Sequence, residues 1–233
     1  MTDTIESRLK MVRDRIANAA IACNRDPESI RLVAATKTVP ADRIRVAIRA
    51  GIRDVGENYV QEAREKIESL KDEEVSWHFI GRLQTNKAKY AVRMFDLIHS
   101  VDSLKLANEL NKRAAKIEKV QKILIQVNIS GEKTKSGIET ERAIDLVRQI
   151  AALGNIAIRG LMTLPPYFNA PEKVRPYFKS LKILQERIRD ADIPNVGMDE
   201  LSMGMSGDFE TAIEEGATIV RIGTAIFGER KIH

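Results

Sequence analysis

The sequence predicts an α/β fold, a single (β/α)8 TIM barrel preceded by an extra N-terminal helix. Three observations predict it. Short apolar runs alternate with longer helical patterns eight times along the chain, which implies parallel strands joined by helical crossovers. The runs are nearly evenly spaced over 233 residues, close to the roughly 250 that such a barrel commonly needs. No Gly-x-Gly-x-x-Gly follows the first run, which removes the usual sign of the open dinucleotide-binding sheet. No linker rich in Pro, Gly or Ser divides the chain, so 1–233 reads as one domain.

The elements follow in order. Ile5, Leu9, Val12, Ile16, Ala19, Ala20 and Cys23 recur at steps of three and four, an amphipathic helix over 4–23 that Asn24-Arg25-Asp26-Pro27 ends. The first strand, 31–37, carries Lys37 to its far end and stops before Pro40. The other strands are expected at 54–57, 77–81, 97–101, 122–128, 157–163, 200–203 and 218–223. A helix over 42–50 opens after Pro40 and closes before Gly51, and the next, 58–70, buries a stripe of Val60, Ala63, Ile67 and Leu70. A helix at 86–94 follows the third strand, and Asp102-Ser103 caps a long one reaching about 118. The last three are 139–153, 171–189 and 208–215, which ends at Gly216.

Composition narrows the class. Hydrophobic residues at 43% and charged ones at 30% fit a soluble globular protein. No apolar run approaches the roughly 18 residues a membrane span requires. The start, Met-Thr-Asp-Thr-Ile-Glu, lacks an apolar signal region, and Cys23 has no second cysteine to pair with, so a cytoplasmic location is expected. The formal charge of +5, from 38 basic and 33 acidic residues, is scattered rather than blocked. It argues weakly for nucleic acid and equally well for an anionic small molecule. Three histidines and one cysteine show no ligand spacing, so no metal site is expected.

In such a barrel the chemistry collects where strands end. The polar residues closing the strands are Lys37, Glu57-Asn58, His78 with Arg82, His99-Ser100 with Asp102, Asn128, Thr163, Ser202 with Ser206, and Arg221 with Thr224. Ser206-Gly207-Asp208 and Gly223-Thr224 follow the seventh and eighth strands. Their small residues let backbone N–H groups approach a ligand, and this pair of loops commonly holds a phosphate. A lysine desolvated near cations has a neutral amine available to an aldehyde. Pyridoxal 5′-phosphate (PLP) carries an aldehyde and a phosphate on one ring, whose nitrogen is commonly met by an Asp or an Arg.

Six runs carry a resemblance that spans nearly the whole chain. They are Val33-Ala-Ala-Thr-Lys37-Thr, Gly56-Glu-Asn-Tyr-Val-Gln-Glu62, Trp77-His-Phe-Ile-Gly-Arg-Leu-Gln-Thr-Asn-Lys87, Gly160-Leu-Met-Thr-Leu-Pro165, Leu201-Ser-Met-Gly-Met-Ser206 and Val220-Arg-Ile-Gly-Thr-Ala-Ile-Phe-Gly228. The sequence resembles the pyridoxal phosphate homeostasis proteins, the YggS-like or proline synthetase co-transcribed family, whose fold is similar to the alanine racemase barrel domain. The resemblance implies that Lys37 holds PLP as a Schiff base and that Asn58 lies beside the cofactor. It also implies that Ser206 and Gly207, with Gly223 and Thr224, cradle the phosphate, and that Arg221 faces the pyridine nitrogen. Met203 ends the same strand as the first of these loops. Arg82 takes no assigned role.

A guanidinium donates and cannot accept a proton, so an arginine partner keeps the ring nitrogen uncharged and makes the ring a poorer electron sink. Racemases of similar fold add a tyrosine from a second domain, and none is read here. Of Tyr59, Tyr90, Tyr167 and Tyr177, only Tyr59 adjoins a site residue, and its place at a helix start suggests packing. The expected function is therefore PLP binding in vitamin B6 homeostasis with little or no amino-acid turnover. The alternative is a small PLP-dependent amino-acid racemase. A nucleic-acid-binding barrel rests only on the basic balance, with no binding motif behind it. Expected partners are the small-molecule cofactor and PLP-dependent apo-enzymes, with no nucleic acid and no membrane, and a monomer is expected.

Four further features stand outside this constellation. His78 and His99 read as hydrogen-bonded core residues rather than catalysts. His233 is terminal. Lys133, Lys135 and Ser136, in the loop 129–137, could form a lid or docking surface. Asn86, Lys87 and Lys89 could steer anions.

Overall fold

The chain begins with a capped helix. Thr4 accepts a hydrogen bond from Ser7 N (3.2 Å) while the Ser7 hydroxyl accepts from Thr4 N (3.0 Å), a reciprocal cap that starts α1 (Ile5–Ala22). The computed structural model describes residues 3–132, 134–166, 168 and 170–229. Tyr167, Lys133 and His233 lie outside the described residues.

After α1 the elements run β1 (Arg31–Ala35), α2 (Ala41–Arg49), β2 (Asp54–Glu57), α3 (Val60–Ser69), β3 (Ser76–Phe79), α4 (Ala88–Met94), β4 (Leu97–Val101), α5 (Leu104–Ala115) and β5 (Gln121–Asn128). They continue with β6 (Ile138–Glu139), α6 (Ala143–Ala151), β7 (Ile156–Met162), α7 (Arg175–Asp190), β8 (Val196–Ser202), α8 (Phe209–Glu214), β9 (Ile219–Ile222) and α9 (Thr224–Phe227). The strands order as β4-β3-β2-β1-β9-β8-β7-β5, and β4 pairs with β5 to close the ring. Every pairing is parallel, so this is the eight-stranded barrel the sequence predicts. β6 is an addition of two residues beside the end of β5.

Two layers of core follow from the alternation of side chains along each strand. Outward residues such as Val55, Phe79, Ile98, Ile123, Leu161 and Val220 join one buried cluster with Ile44, Ala63, Phe95, Leu110, Val147 and Phe178 from the helices. Each Val, Leu, Ile or Phe side chain removed from water contributes about 1.5–3 kcal/mol. Inside the ring, Val33, Leu97, Leu124, Met162 and Ile219 form a separate apolar plug. The α1 helix packs on α8, α9 and α2. It thus fills the place in the outer ring that a full helix after the last strand would take, since α9 has only four residues.

Boundaries differ from expectation where local chemistry intervenes. The first strand stops at Ala35, short of Lys37, because Val39 N donates to Thr36 O (2.9 Å) and turns the chain. The seventh barrel strand starts at Val196 rather than 200, since Asp199 and Glu200 interrupt the apolar pattern without ending the sheet. The helices expected from 86 and 171 each open with a 3-10 turn, Thr85–Lys87 and Pro171–Lys173. No helix among the described residues is long and apolar enough to cross a membrane.

Candidate functional site

Lys37 sits just past the end of β1, half-buried, in a turn whose next residue is strained. Thr38 has φ 64°, a left-handed conformation that a β-branched residue rarely adopts. A buried charge cluster holds this turn from below. Lys66, 6% exposed on the inner face of α3, donates to Thr36 O (2.6 Å), Glu57 Oε1 (2.7 Å) and Glu62 Oε1 (2.5 Å). Thr36 Oγ1 donates to Glu57 Oε1 (2.5 Å), and Thr38 N donates to Glu62 Oε1 (2.6 Å). The residues on both sides of Lys37 are therefore pinned to one carboxylate–ammonium cluster. Burial pushes the Glu57 carboxyl up, against the hydrogen bonds of Lys66 and Thr36, which pull it down.

Sequence reasoning named Glu57 only as a strand end and missed Lys66 and Glu62. The signal was available, because Lys66 lies three residues after Ala63 on the stripe of α3 that faces the barrel.

Asn58 stands at the end of β2, next to the end of β1 through the Ala35–Gly56 pairing. It is half-buried, and Gly81 passes so close that a Cβ there would lie 2.2 Å from Asn58 O. Tyr59 does not pack as expected. It is 60% exposed at the start of α3 and its side chain makes no capping hydrogen bond.

The remaining expected residues come together in two loops after β8 and β9. Ala225 N donates to Ser206 Oγ (3.3 Å), which ties one loop to the other. Among the described residues, the backbone N–H groups of Ser206, Gly207, Gly223 and Thr224 meet no acceptor. A cluster of undirected N–H donors in partly exposed loops is a cradle for an anion. Asp208 N donates to Met205 O (3.1 Å) and Met205 N to Asp208 Oδ1 (2.6 Å), which folds the first loop. Gly223 also lies against Ala35, whose oxygen would be 3.1 Å from a Cβ there, so the cradle abuts the strand that leads to Lys37.

Arg221, 3% exposed, projects into the barrel from β9. Its Nη2 donates to Thr163 O (2.9 Å) and its Nη1 to Ser202 Oγ (2.5 Å). Burial pushes its pKa down to about 10, offset in part by Asp208. His78 and His99 are buried and hydrogen-bonded to each other, Nδ1 to Nε2 at 3.0 Å, as the sequence reading expected of core histidines.

Burial, then the neighbouring His78 and Arg221, holds His99 well below the ordinary value of 6.5. Its folded pKa is depressed, so between the folded and unfolded values the unfolded chain binds more protons and stability rises with pH. Stability should thus fall as pH drops below about 6.5, by at most about 1.4 kcal/mol per pH unit for this group. Urea unfolding at pH 7.5, 6.5 and 5.5 measures the slope, and a His99→Gln variant should show a shallower one.

Other features border the mouth. Asn58, Arg82, Gln126, Thr134, Lys135 and Ser136 are among the residues lining a cavity of about 290 Å3. Lys135 and Ser136 of the loop 129–137 therefore share a wall with Asn58. A neighbouring cavity of about 700 Å3 includes Asn58, Arg82 and Lys87.

A closed parallel barrel, with a lysine just past β1 and a group of undirected backbone N–H donors after β8 and β9, defines the class. It is a barrel of the alanine racemase N-terminal domain type, and the model of that family matches residues 9–231. The pyridoxal phosphate homeostasis protein of Aquifex aeolicus is 50% identical over 224 residues, covering 96% of this chain and 97% of that protein. The protein of the same name from Escherichia coli K12 is 43% identical, covering 97% of each. The chain belongs to the pyridoxal phosphate homeostasis protein family. Among solved structures, PipY of Synechococcus elongatus with PLP bound is 36% identical, with a TM-score of 0.86, covering 97% of this chain and 100% of that one. An alanine racemase of Clostridium difficile shares the fold at 14% identity and a TM-score of 0.77, covering 99% of this chain and 58% of the racemase.

Proposed function

We propose that this protein binds pyridoxal 5′-phosphate at the C-terminal mouth of the barrel and serves vitamin B6 homeostasis, with little or no amino-acid turnover. The observation that carries the reading is the cradle of undirected N–H groups at Ser206, Gly207, Gly223 and Thr224, set against the strand that delivers Lys37. The names of the relatives and the PLP-bound PipY structure support the same cofactor. When bound, the cofactor supplies an aldehyde that condenses with an amine as water leaves, and a phosphate that needs donors.

The chain's own residues divide the work. Lys37 supplies the amine for a Schiff base, and the Lys66 cluster fixes the backbone on either side of it. The cradle takes the phosphate, Asn58 flanks the ring, and Arg221 presents N–H donors to the ring nitrogen. Because a guanidinium only donates, that nitrogen stays unprotonated and the ring a weak electron sink. Holding is thereby favoured over turnover. We further propose that 1–233 acts as one cytoplasmic, monomeric domain, and that PLP-dependent apo-enzymes receive the cofactor from it.

Titration of the purified protein with PLP tests the reading, and a saturable visible absorbance band is the expected result. Ser206→Asp, which sets a carboxylate in the cradle, should weaken PLP binding about a hundredfold, as a like charge costs several kcal/mol. Binding of pyridoxal, which has no phosphate, should change little. Equal weakening of both ligands would place the phosphate elsewhere.

A further inference from the structure

A line of hydrogen bonds crosses the barrel from its lower mouth to Arg221. Asp54 Oδ1, at the start of β2, lies 3.1 Å from His78 Nε2. His78 Nδ1 lies 3.0 Å from His99 Nε2, and His99 Nδ1 lies 2.8 Å from Ser202 Oγ. Ser202 Oγ in turn receives Arg221 Nη1 at 2.5 Å. β4 and β8 are not neighbours in the sheet, so the contact between His99 and Ser202 spans the interior. His78, His99, Ser202 and Arg221 are all buried.

The two ends fix the direction of every proton between them. A guanidinium can only donate, and an ionised carboxylate can only accept. With both rings neutral, His78 must present Nε2–H to Asp54, for otherwise two lone pairs would face each other. Its Nδ1 is then an acceptor and takes Nε2–H from His99. His99 Nδ1 accepts in turn from the Ser202 hydroxyl, whose oxygen accepts from Arg221. All four hydrogen bonds point the same way, toward Asp54, and bonds aligned in series polarise one another.

This matters because Arg221 is buried and forms no ion pair among the described residues; Asp208 offsets its charge only in part and from beyond ion-pair distance, and a buried cation left largely unpaired is costly. We propose that Asp54, His78, His99 and Ser202 are positioning residues that hold the Arg221 guanidinium in one orientation and answer its charge through the polarised chain. Two of the five N–H groups of Arg221 are spent on Ser202 and Thr163, and the other three make no hydrogen bond among the described residues. The inference deepens the proposed function and rests on its placement of Arg221 beside the cofactor ring.

Two measurements test it. In PLP-free protein labelled with 15N-histidine, both His78 and His99 should give the neutral Nε2–H tautomer at pH 7.5. A charged ring, or an Nδ1–H tautomer at either position, would overturn the chain. With PLP, His99→Leu should weaken binding about tenfold and shift the pH dependence of the visible band. His99→Gln, whose amide can both donate to His78 and accept from Ser202, should restore both to near the wild-type values. Thermal unfolding of each variant, followed without PLP, identifies any loss of fold. A folded His99→Leu protein with unchanged affinity and pH profile would remove the positioning role alone. Wild-type protein that bound no PLP would remove the functional reading, while the tautomer result would still decide whether the chain exists.

Discussion

Lys37→Ala protein is expected to lose the visible absorbance band that wild-type protein forms with PLP, and to bind PLP about a hundredfold more weakly, the equivalent of about 3 kcal/mol. On the proposed role of Lys37 the lost interaction is a covalent one, which no neighbouring side chain replaces. The cradle after β8 and β9 and the Arg221 guanidinium are untouched by the substitution, so residual, non-covalent binding should persist and should still prefer PLP over pyridoxal. The fold should persist as well, because Lys37 is half-buried in a turn whose anchors are the backbones of Thr36 and Thr38 and the side chains of Glu57, Glu62 and Lys66. Calorimetric titration with both ligands and a thermal melt measure all of this. A Lys37→Ala protein that kept the band would place the attachment on another lysine.

The second large effect is on stability. Lys66→Met should destabilise the protein by about 3–5 kcal/mol, the usual cost of leaving a buried charge without its partner. For a chain of this size that is on the order of 10 °C in Tm. The Glu57 side chain is fully buried and Thr36 O loses its ammonium donor, so neither is rescued by water. Adding Glu57→Gln to Lys66→Met removes the orphaned charge and should return a good part of the loss, which makes the pair non-additive. Urea unfolding of the two single variants and the double variant closes the cycle. A cost below about 1 kcal/mol for Lys66→Met would mean that the cluster does not brace the turn. Because that turn carries Lys37, PLP affinity should fall in Lys66→Met even at temperatures where the protein is folded.

The barrel was legible because its signal is periodic and repeated. Eight apolar runs separated by helical stripes leave few topologies, and the closure of β4 on β5 needs no information beyond strand number and handed crossovers. The expected site residues were legible as strand ends, since Lys37, Asn58, Ser206 and Gly223 each follow an apolar run. What escaped depends on three-dimensional pairing. Lys66 falls on the inward stripe of α3, so its burial was readable, but only the position of α3 over the end of β1 shows which groups it braces. Asp54 reads simply as the first residue of the second strand, and only the lumen brings it to His78 from β3. Thr38 could not be recognised as strained, because a β-branched residue carries no sequence mark of a left-handed turn. The helix α9 was too short for any periodic pattern.

Lys37, just past the end of β1, is the residue proposed to hold the cofactor. Borohydride reduction of the PLP-treated protein, followed by proteolysis and peptide mass measurement, tests it most directly, since reduction converts a carbon–nitrogen double bond into a permanent secondary amine. The modified residue should be Lys37, in the peptide that contains Val33-Ala-Ala-Thr-Lys37-Thr, and the label should be absent from that peptide when inorganic phosphate is added without PLP. Recovery of the label on a different lysine, with Lys37 unmodified, would contradict the account.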